Sequence, residues 1–414
     1  MAYAIQVQGA PSRASRRYWS TLGLGLLLTL GLVGCAPFGS TSSPSKSVDQ
    51  QPGLTPGTPG VGVAPAGWRR VLNGQTFSDS TAANGMAVSH ARLAQLAACA
   101  LPVNPSGGRP VFLLSNDGGR TWQSHAILGG ASHWQTCFML ADAQLANTFA
   151  LEIGSEAGPN GGISQVELTT NAGRTWRVVA PPPGFQVGIY ATGETTLDDG
   201  TLLAVLASQS PTHNEFARLT PDGVWHNLSN SLPDLHNAVT GADQVPGSVT
   251  VDPSNPNRIL IAQTAPQGTA IFLSDDAGAT WRPVYSLPSS LVVRLWSGPA
   301  QRFYAQDVIH NVATATQFFY SADGGETWVG SGLHANGAYA SDDSVFVSPS
   351  GRVLTAWNGQ FFTLNPATGV FALLGAVPAF ASGILSCVIV EGPSPSLVCT
   401  GGADTFARSL PSLA

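Results

Sequence analysis

The sequence is poor in charge. Only 10% of its residues are Asp, Glu, Lys or Arg, and Lys46 is the one lysine among 18 basic residues. A nucleic-acid binder needs a basic stripe to neutralise phosphates. A chain of formal net charge -6 with no such stripe excludes that class. Carboxylates are scarce too, with glutamate at only seven positions. Amphipathic runs at helical spacing are missing, which excludes a helical bundle. Turn residues are plentiful instead, with 47 glycines and 30 prolines. That composition suits many short strands joined by tight turns.

The N-terminus is organised for export. Arg13, Arg16 and Arg17 precede an apolar, almost uncharged run over 18–33 that ends in Leu32, Val33, Gly34 and Cys35. A basic region, a short apolar region and small residues at a cut site describe a secretory signal. The rival reading, an uncleaved membrane helix, is near the lower length limit for spanning a bilayer. The Leu-Val-Gly-Cys ending resembles the bacterial lipobox, which implies that Cys35 is acylated and becomes the first mature residue. Residues 35–66 are mostly Ser, Thr, Pro and Gly, too apolar-poor to offset the entropy of ordering. They are expected to form a tether. The expected organisation is thus 1–34 signal peptide, 35–66 tether and 67–414 folded domain, extracytoplasmic and held to a bacterial membrane by lipid.

One pattern, S-x-D-x-G-x-T-W, recurs four times in the folded part. The copies are Ser115, Asp117, Gly119, Thr121, Trp122; Thr169, Asn171, Gly173, Thr175, Trp176; Ser274, Asp276, Gly278, Thr280, Trp281; and Ser321, Asp323, Gly325, Thr327, Trp328. An Asp or Asn side chain accepts bonds from backbone N–H groups just downstream and closes a turn. Glycine permits the required dihedral, and the indole can fold back over the turn. Each copy follows an apolar run such as Val111, Phe112, Leu113, Leu114, and each Trp opens a further short strand. The pattern is therefore a hairpin connection. It resembles the Asp-box, or BNR repeat. Weaker copies end at Trp225 and Phe371, so the aromatic recurs about every fifty residues, the period of a β-propeller blade of four strands.

Six aromatics mark six blades. Residues 68–72 read as a strand that normally follows such a box, and the residues after Phe371 hold three strands and little more. We therefore expect an all-β propeller of seven four-stranded blades, the first and last strands sharing the closing blade and removing an open edge.

Besides Cys35 the chain has Cys99, Cys137, Cys387 and Cys399. An even remainder in an exported domain points to two disulfides with three connectivities open. Cys387 and Cys399 sit on adjacent strands of one hairpin and favour each other, leaving Cys99 with Cys137. A zinc site is the alternative, but no Cys-x-x-Cys or paired His spacing occurs. No metal and no cofactor are expected.

Function is less legible. The box aspartates read as turn formers and the box tryptophans as packing. The Asp-box resemblance covers 68–414 and implies a superfamily that includes sialidases, endo-acting polysaccharide hydrolases, sortilin-type receptors and photosystem II assembly factors. A sialidase would need an arginine triad, a Tyr–Glu pair and an Arg-Ile-Pro signature, and no Arg-Ile-Pro is present. Arg92, Arg258, Arg294 and Arg302 are candidates for an axial cluster. Tyr190 with Glu194, or Tyr304 and Tyr320, could serve as nucleophile. Trp134, Trp296 and Trp357 could stack on a ligand, though blade packing is the plainer reading, as it is for His133 and His236. The expected role is a binding or assembly module for a protein or glycan, with no nucleic acid among its partners. The alternative is a glycoside hydrolase of sialidase type or a related polysaccharide hydrolase.

Overall fold

The computed structural model describes residues 67–72, 86–89, 91–100, 111–127, 136–155, 162–187, 196–208, 214–232, 247–265, 268–287, 292–308, 317–330, 345–357, 360–365, 370–376, 386–392, 394–401 and 404–411. All lie in one compact unit, Pro52–Ala414. The segments expected as signal peptide and tether, Cys35 included, fall outside the described residues.

The strands form antiparallel meanders that make seven blades around a ring. Blade 1 runs Met86–Val88, Leu96–Ala100, Val111–Ser115 and Gln123–Ala126. Blade 2 runs from Thr136–Ala141 to Arg177–Val179, and blade 3 from Phe185–Val187 to Trp225–Asn227. Blade 4 starts at Ser248–Asp252, blade 5 at Val292–Gly298 and blade 6 at Val345–Val347. Blade 7 takes Ser386–Val390, Ser396–Gly401 and Asp404–Ser409, and its fourth strand is Arg69–Leu72, paired antiparallel to Asp404–Ser409. The seven-bladed count and the shared closing blade are as expected.

Blade 3 departs from the regular plan. Its innermost strand is split: Phe185–Val187 and Thr196–Asp198 both pair with Thr201–Ser208. Val187 also pairs with Ile163 of blade 2, so blades 2 and 3 form one nine-stranded sheet.

The core is divided among the seams between blades. Seven buried clusters are found among the described residues, each joining two neighbouring blades. Side chains alternate across a strand. Hence Ala97 and Cys99 pack against blade 2, while Leu96 and Ala98 pack against blade 7. Leu260 and Ala262 face blade 5, while Ile259 and Ile261 face blade 3. A strand covered on both faces needs apolar side chains on both. This explains the continuous apolar runs at 96–100, 202–206 and 259–262.

The repeat aromatic enters these seams, always toward the preceding blade. Trp176 of blade 2 meets Phe112 of blade 1 edge-on, centroids 5.0 Å apart. Phe371 of blade 6 meets Phe318 of blade 5 in the same way at 5.3 Å. Trp281 faces Phe216 of blade 3 and Trp328 faces Tyr285 of blade 4. Trp68 reaches Phe361 of blade 6, and Trp122 lies among Val390, Val398 and Ala407 of blade 7. Trp225 packs against the blade 2–3 cluster, and its indole N–H donates to the Ala180 carbonyl after blade 2. The indole covers its own turn less than it wedges two blades together.

Cys387 and Cys399 are directly opposite in register, with Cα atoms 4.1 Å apart, and are joined by a disulfide within blade 7. Cys99 is also disulfide-bonded. The side chain of Cys137 lies outside the described ones.

Two stability measurements follow. Cys387→Ser with Cys399→Ser should lower stability by about 3 kcal/mol in the chain-entropy account of a short loop, read as a shift in the urea midpoint. Trp176→Ala should cost about 3–5 kcal/mol, the range for truncating a buried aromatic. A midpoint that stays put in either variant removes that contact from the forces holding the ring.

Candidate functional site

All four S-x-D-x-G-x-T-W segments close the same turn between the third and fourth strands. In blade 1 the Gly119 N–H donates to Ser115 Oγ at 2.8 Å, and Ser115 Oγ donates to Asp117 Oδ1 at 2.8 Å. The Thr121 N–H and hydroxyl then donate to the two Asp117 oxygens at 2.8 and 2.6 Å. Blades 4 and 5 repeat this around Asp276 and Asp323. In blade 2 Asn171 keeps the acceptor toward the Thr175 N–H at 2.9 Å and reverses the second bond, its Nδ2 donating to Thr175 Oγ1 at 2.7 Å. The tip needs two consecutive left-handed residues, which are Ala172 and Gly173 in blade 2. A Cβ on Gly173 would stand 2.5 Å from the Phe112 ring, so the turn itself fits tightly on the preceding blade.

These bonds hold the carboxyls in their charged form. The Thr280 hydroxyl and N–H lower the Asp276 carboxyl below its usual range, outweighing burial. Burial alone would raise Asp117 and Asp323, but the bonds from Thr121 and Thr327, with those from Ser115 and Ser321, overcome it and lower both.

The turns after the innermost strands lie beside these boxes and tie neighbouring blades. Asp142, fully buried, accepts from the Gly200 N–H of blade 3 at 2.7 Å and the Asp199 N–H at 3.2 Å. Glu391 of blade 7 accepts from Ser350 Oγ of blade 6 at 2.6 Å and lies 3.8 Å from buried Arg352. Sequence reasoning missed both. Their signal is an Asp, Ser or Glu directly after an inner-strand apolar run, as at Ser89, Asp142, Asp252, Ser348 and Glu391.

The candidate arginines are dispersed. Arg92 lies on the first turn of blade 1 and donates to Asn147 Oδ1 of blade 2 at 3.3 Å. Arg258 of blade 4 pairs with Asp275 at 2.7 Å. Arg294 sits on the innermost strand of blade 5, and Arg302 starts that blade's second strand. Tyr304 and Tyr320 are cross-strand partners in blade 5. Tyr304 is buried, which raises its hydroxyl pKa, and its Oη donates to the Gly351 carbonyl at 3.3 Å. Trp296 packs in the blade 5–6 seam. His133, Trp134, Tyr190, Glu194 and His236 lie outside the described residues, as does the Trp357 side chain. Among the described residues, no group of three or more His, Cys, Asp or Glu side chains gathers to hold a metal.

A cleft of about 400 Å³ opens between the box turns of blades 1 and 2. Its polar lining includes Arg92, Asn116, Gln123, His125, Asn147 and Arg174, and it contains no carboxylate. Gln95, 1% exposed, anchors the cleft: its Nε2 donates to Asn116 Oδ1 at 2.9 Å and Asn147 Oδ1 at 2.8 Å, and its Oε1 accepts from the Asn147 N–H at 3.2 Å. Burial, then the Arg174 charge, lowers the His125 pKa, so its imidazole is neutral at pH 7.

The arrangement defines the class, a seven-bladed β-propeller with polar turn connections on one face. No family model matches the chain, and no curated protein matches it. Solved structures do. The chain is similar to YCF48 bound to a D1 peptide at 13% identity, covering 84% of this chain and 99% of that one, TM-score 0.46. It is similar to YCF48 from Cyanidioschyzon merolae at 12% identity over 83% and 98% of the two chains, TM-score 0.43. The GH74 enzyme of Niastella koreensis matches at 15% identity over 77% of this chain and 61% of that one, TM-score 0.32. At these identities the likeness concerns the fold alone.

The box carboxyls make a pH prediction. Their folded pKa values lie below the unfolded value, which is about 3.9 for aspartate. Their contribution is therefore complete above that value and is lost as pH falls through the lower folded values. Combined Asp117→Asn, Asp276→Asn and Asp323→Asn should flatten the stability profile below about pH 4 and leave the fold intact at pH 7, since Asn171 already closes one such turn. An unchanged acid limb in thermal melts would remove the boxes as its source.

Proposed function

We propose that the chain is a binding module, a seven-bladed propeller built on Asp-boxes and held outside the cytoplasm by a lipid on Cys35. Its ligand is a protein or glycan, and it performs no chemistry on it. The observation that carries this reading is the cleft between blades 1 and 2. Its lining offers amides, guanidinium groups and an imidazole, and no carboxylate. A paired-carboxylate glycosidase needs two carboxyl groups flanking the scissile bond, and the tyrosine and glutamate of a sialidase are equally missing from this lining. The box carboxyls are engaged by threonine hydroxyls and backbone N–H groups, as turn formers are. The basic, apolar and small-residue order ending at Cys35, followed by a Ser/Thr/Pro/Gly tether, supports the anchor and the address.

Two experiments check it. The full chain expressed in a bacterium should incorporate labelled fatty acid and sediment with membranes, and Cys35→Ser should abolish the labelling. Labelling that persists in Cys35→Ser overturns the lipid assignment. The full chain in detergent should leave a fluorogenic sialoside and a β-glucan panel intact. Turnover of any of these substrates by the purified chain overturns the non-catalytic reading.

A further inference from the structure

Blades 1 and 4 can be aligned by register, since Leu96 pairs with Ser115 as Ile259 pairs with Ser274. Four positions then correspond across two seams. At the blade 4–5 seam they are Arg258, Asp275, Arg282 and Glu326. Arg258 Nε donates to Asp275 Oδ1 at 2.7 Å, Arg282 Nη2 lies 3.4 Å from Asp275 Oδ2, and Arg282 Nη1 donates to Glu326 Oε2 at 2.7 Å. The charges cancel and the seam is spanned. At the blade 1–2 seam the same positions hold Gln95, Asn116, Gln123 and Arg174. Both arginines have become glutamines, the aspartate an asparagine, and the glutamate an arginine. Gln123, shorter than an arginine, lines the cleft beside the next box. At the blade 2–3 seam the residue in its place, Arg177, reaches across, donating to the Pro221 carbonyl at 3.3 Å.

The result is a cleft with built-in donors. Gln95 consumes the Oδ1 atoms of Asn116 and Asn147, leaving both Nδ2 groups without an acceptor among the described residues. The Arg174 guanidinium likewise has no acceptor among them. Arg92 adds a second positive charge across the cleft. His125 Nε2 is buried with no hydrogen-bond partner among the described residues. Only Leu114 and Ala172 contribute apolar surface, too little to recognise peptide side chains. The two Nδ2 groups can donate to hydroxyl oxygens, the Gln123 amide can both donate and accept, and guanidinium binds carboxylate in a fork.

We propose that the blade 1–2 cleft binds an acidic sugar residue, its carboxylate held between Arg174 and Arg92 and its hydroxyls by Asn116, Asn147 and Gln123. This rests on the binding-module reading and names its ligand class. The volume accommodates a sugar unit and the beginning of the next.

The test is calorimetric titration of the full chain in detergent with a galacturonic acid trimer, its neutral methyl ester, and a tripeptide with a free C-terminal carboxylate. The trimer should bind, and binding should weaken with added salt. Arg174→Ala and Arg92→Ala should each weaken it about tenfold, the scale of one charge-assisted bond, with melting temperatures unchanged because both side chains are exposed. The ester should bind at least as weakly as the variants. Failure of the trimer to bind, equal binding of the ester, or tighter binding of the tripeptide overturns the proposal. So does binding of the trimer that neither arginine variant weakens, although the binding-module reading then stands. Cleavage of the trimer by the wild-type chain overturns that reading instead.

Discussion

The ring is held by an aromatic side chain that each blade inserts into the seam behind it. Because the blades are narrow sheets, none has a core of its own among the described residues; every buried apolar cluster found there joins two blades. The box turn positions the indole so that it reaches that meeting. Its glycine allows the turn to lie against the neighbour: a Cβ on Gly325 would stand 2.7 Å from Leu260 of blade 4. The hydrogen bonds around Ser115 and Asp117 thus matter less as local capping than as the means of aiming Trp122. A turn that loosened would misdirect an aromatic worth several times its own bonds.

The same geometry brings polar residues of consecutive boxes side by side on one face. Each seam then meets a common electrostatic problem with whatever residues it has. Blades 4 and 5 solve it with alternating charges, and blades 2 and 3 with an arginine on a carbonyl. Exposed ion pairs of this kind add little stability. Their effect is to leave no donor idle. The blade 1–2 seam has neutral amides in place of three of those charges, so donors remain over and the surface stays open.

Fold was legible because the signal repeats: an aromatic after S-x-D-x-G-x-T, about every fifty residues, marks a blade even where the box has decayed, as at Phe371. Closure was legible because 68–72 looks like the strand after a missing box. The direction of the tryptophans was not, since spacing along one chain carries no information about which neighbour a ring will touch. The interrupted strand of blade 3 has no mark in the apolar pattern. The cleft was hidden for a related reason. Arg92, Asn116, Asn147 and Arg174 each look like ordinary turn residues, and only the aligned register of two blades shows that Gln95 and Gln123 stand where Arg258 and Arg282 stand elsewhere. The buried ties through Asp142 and Glu391 were readable in principle, as polar residues ending inner strands.

The nine-stranded sheet makes the ring unequal around its circumference. At the junction of blades 2 and 3, main-chain pairing of Val187 with Ile163 adds to side-chain packing, and Asp142 grips the adjoining turn. Main-chain amides there can exchange only if strand pairing and apolar contact are lost together. The pair is therefore expected to open as one double-width sector, less readily than junctions joined by side chains alone. The blade 7–1 junction shares a smaller part of this, through the Glu391 N–H bonded to the Leu93 carbonyl at 3.0 Å.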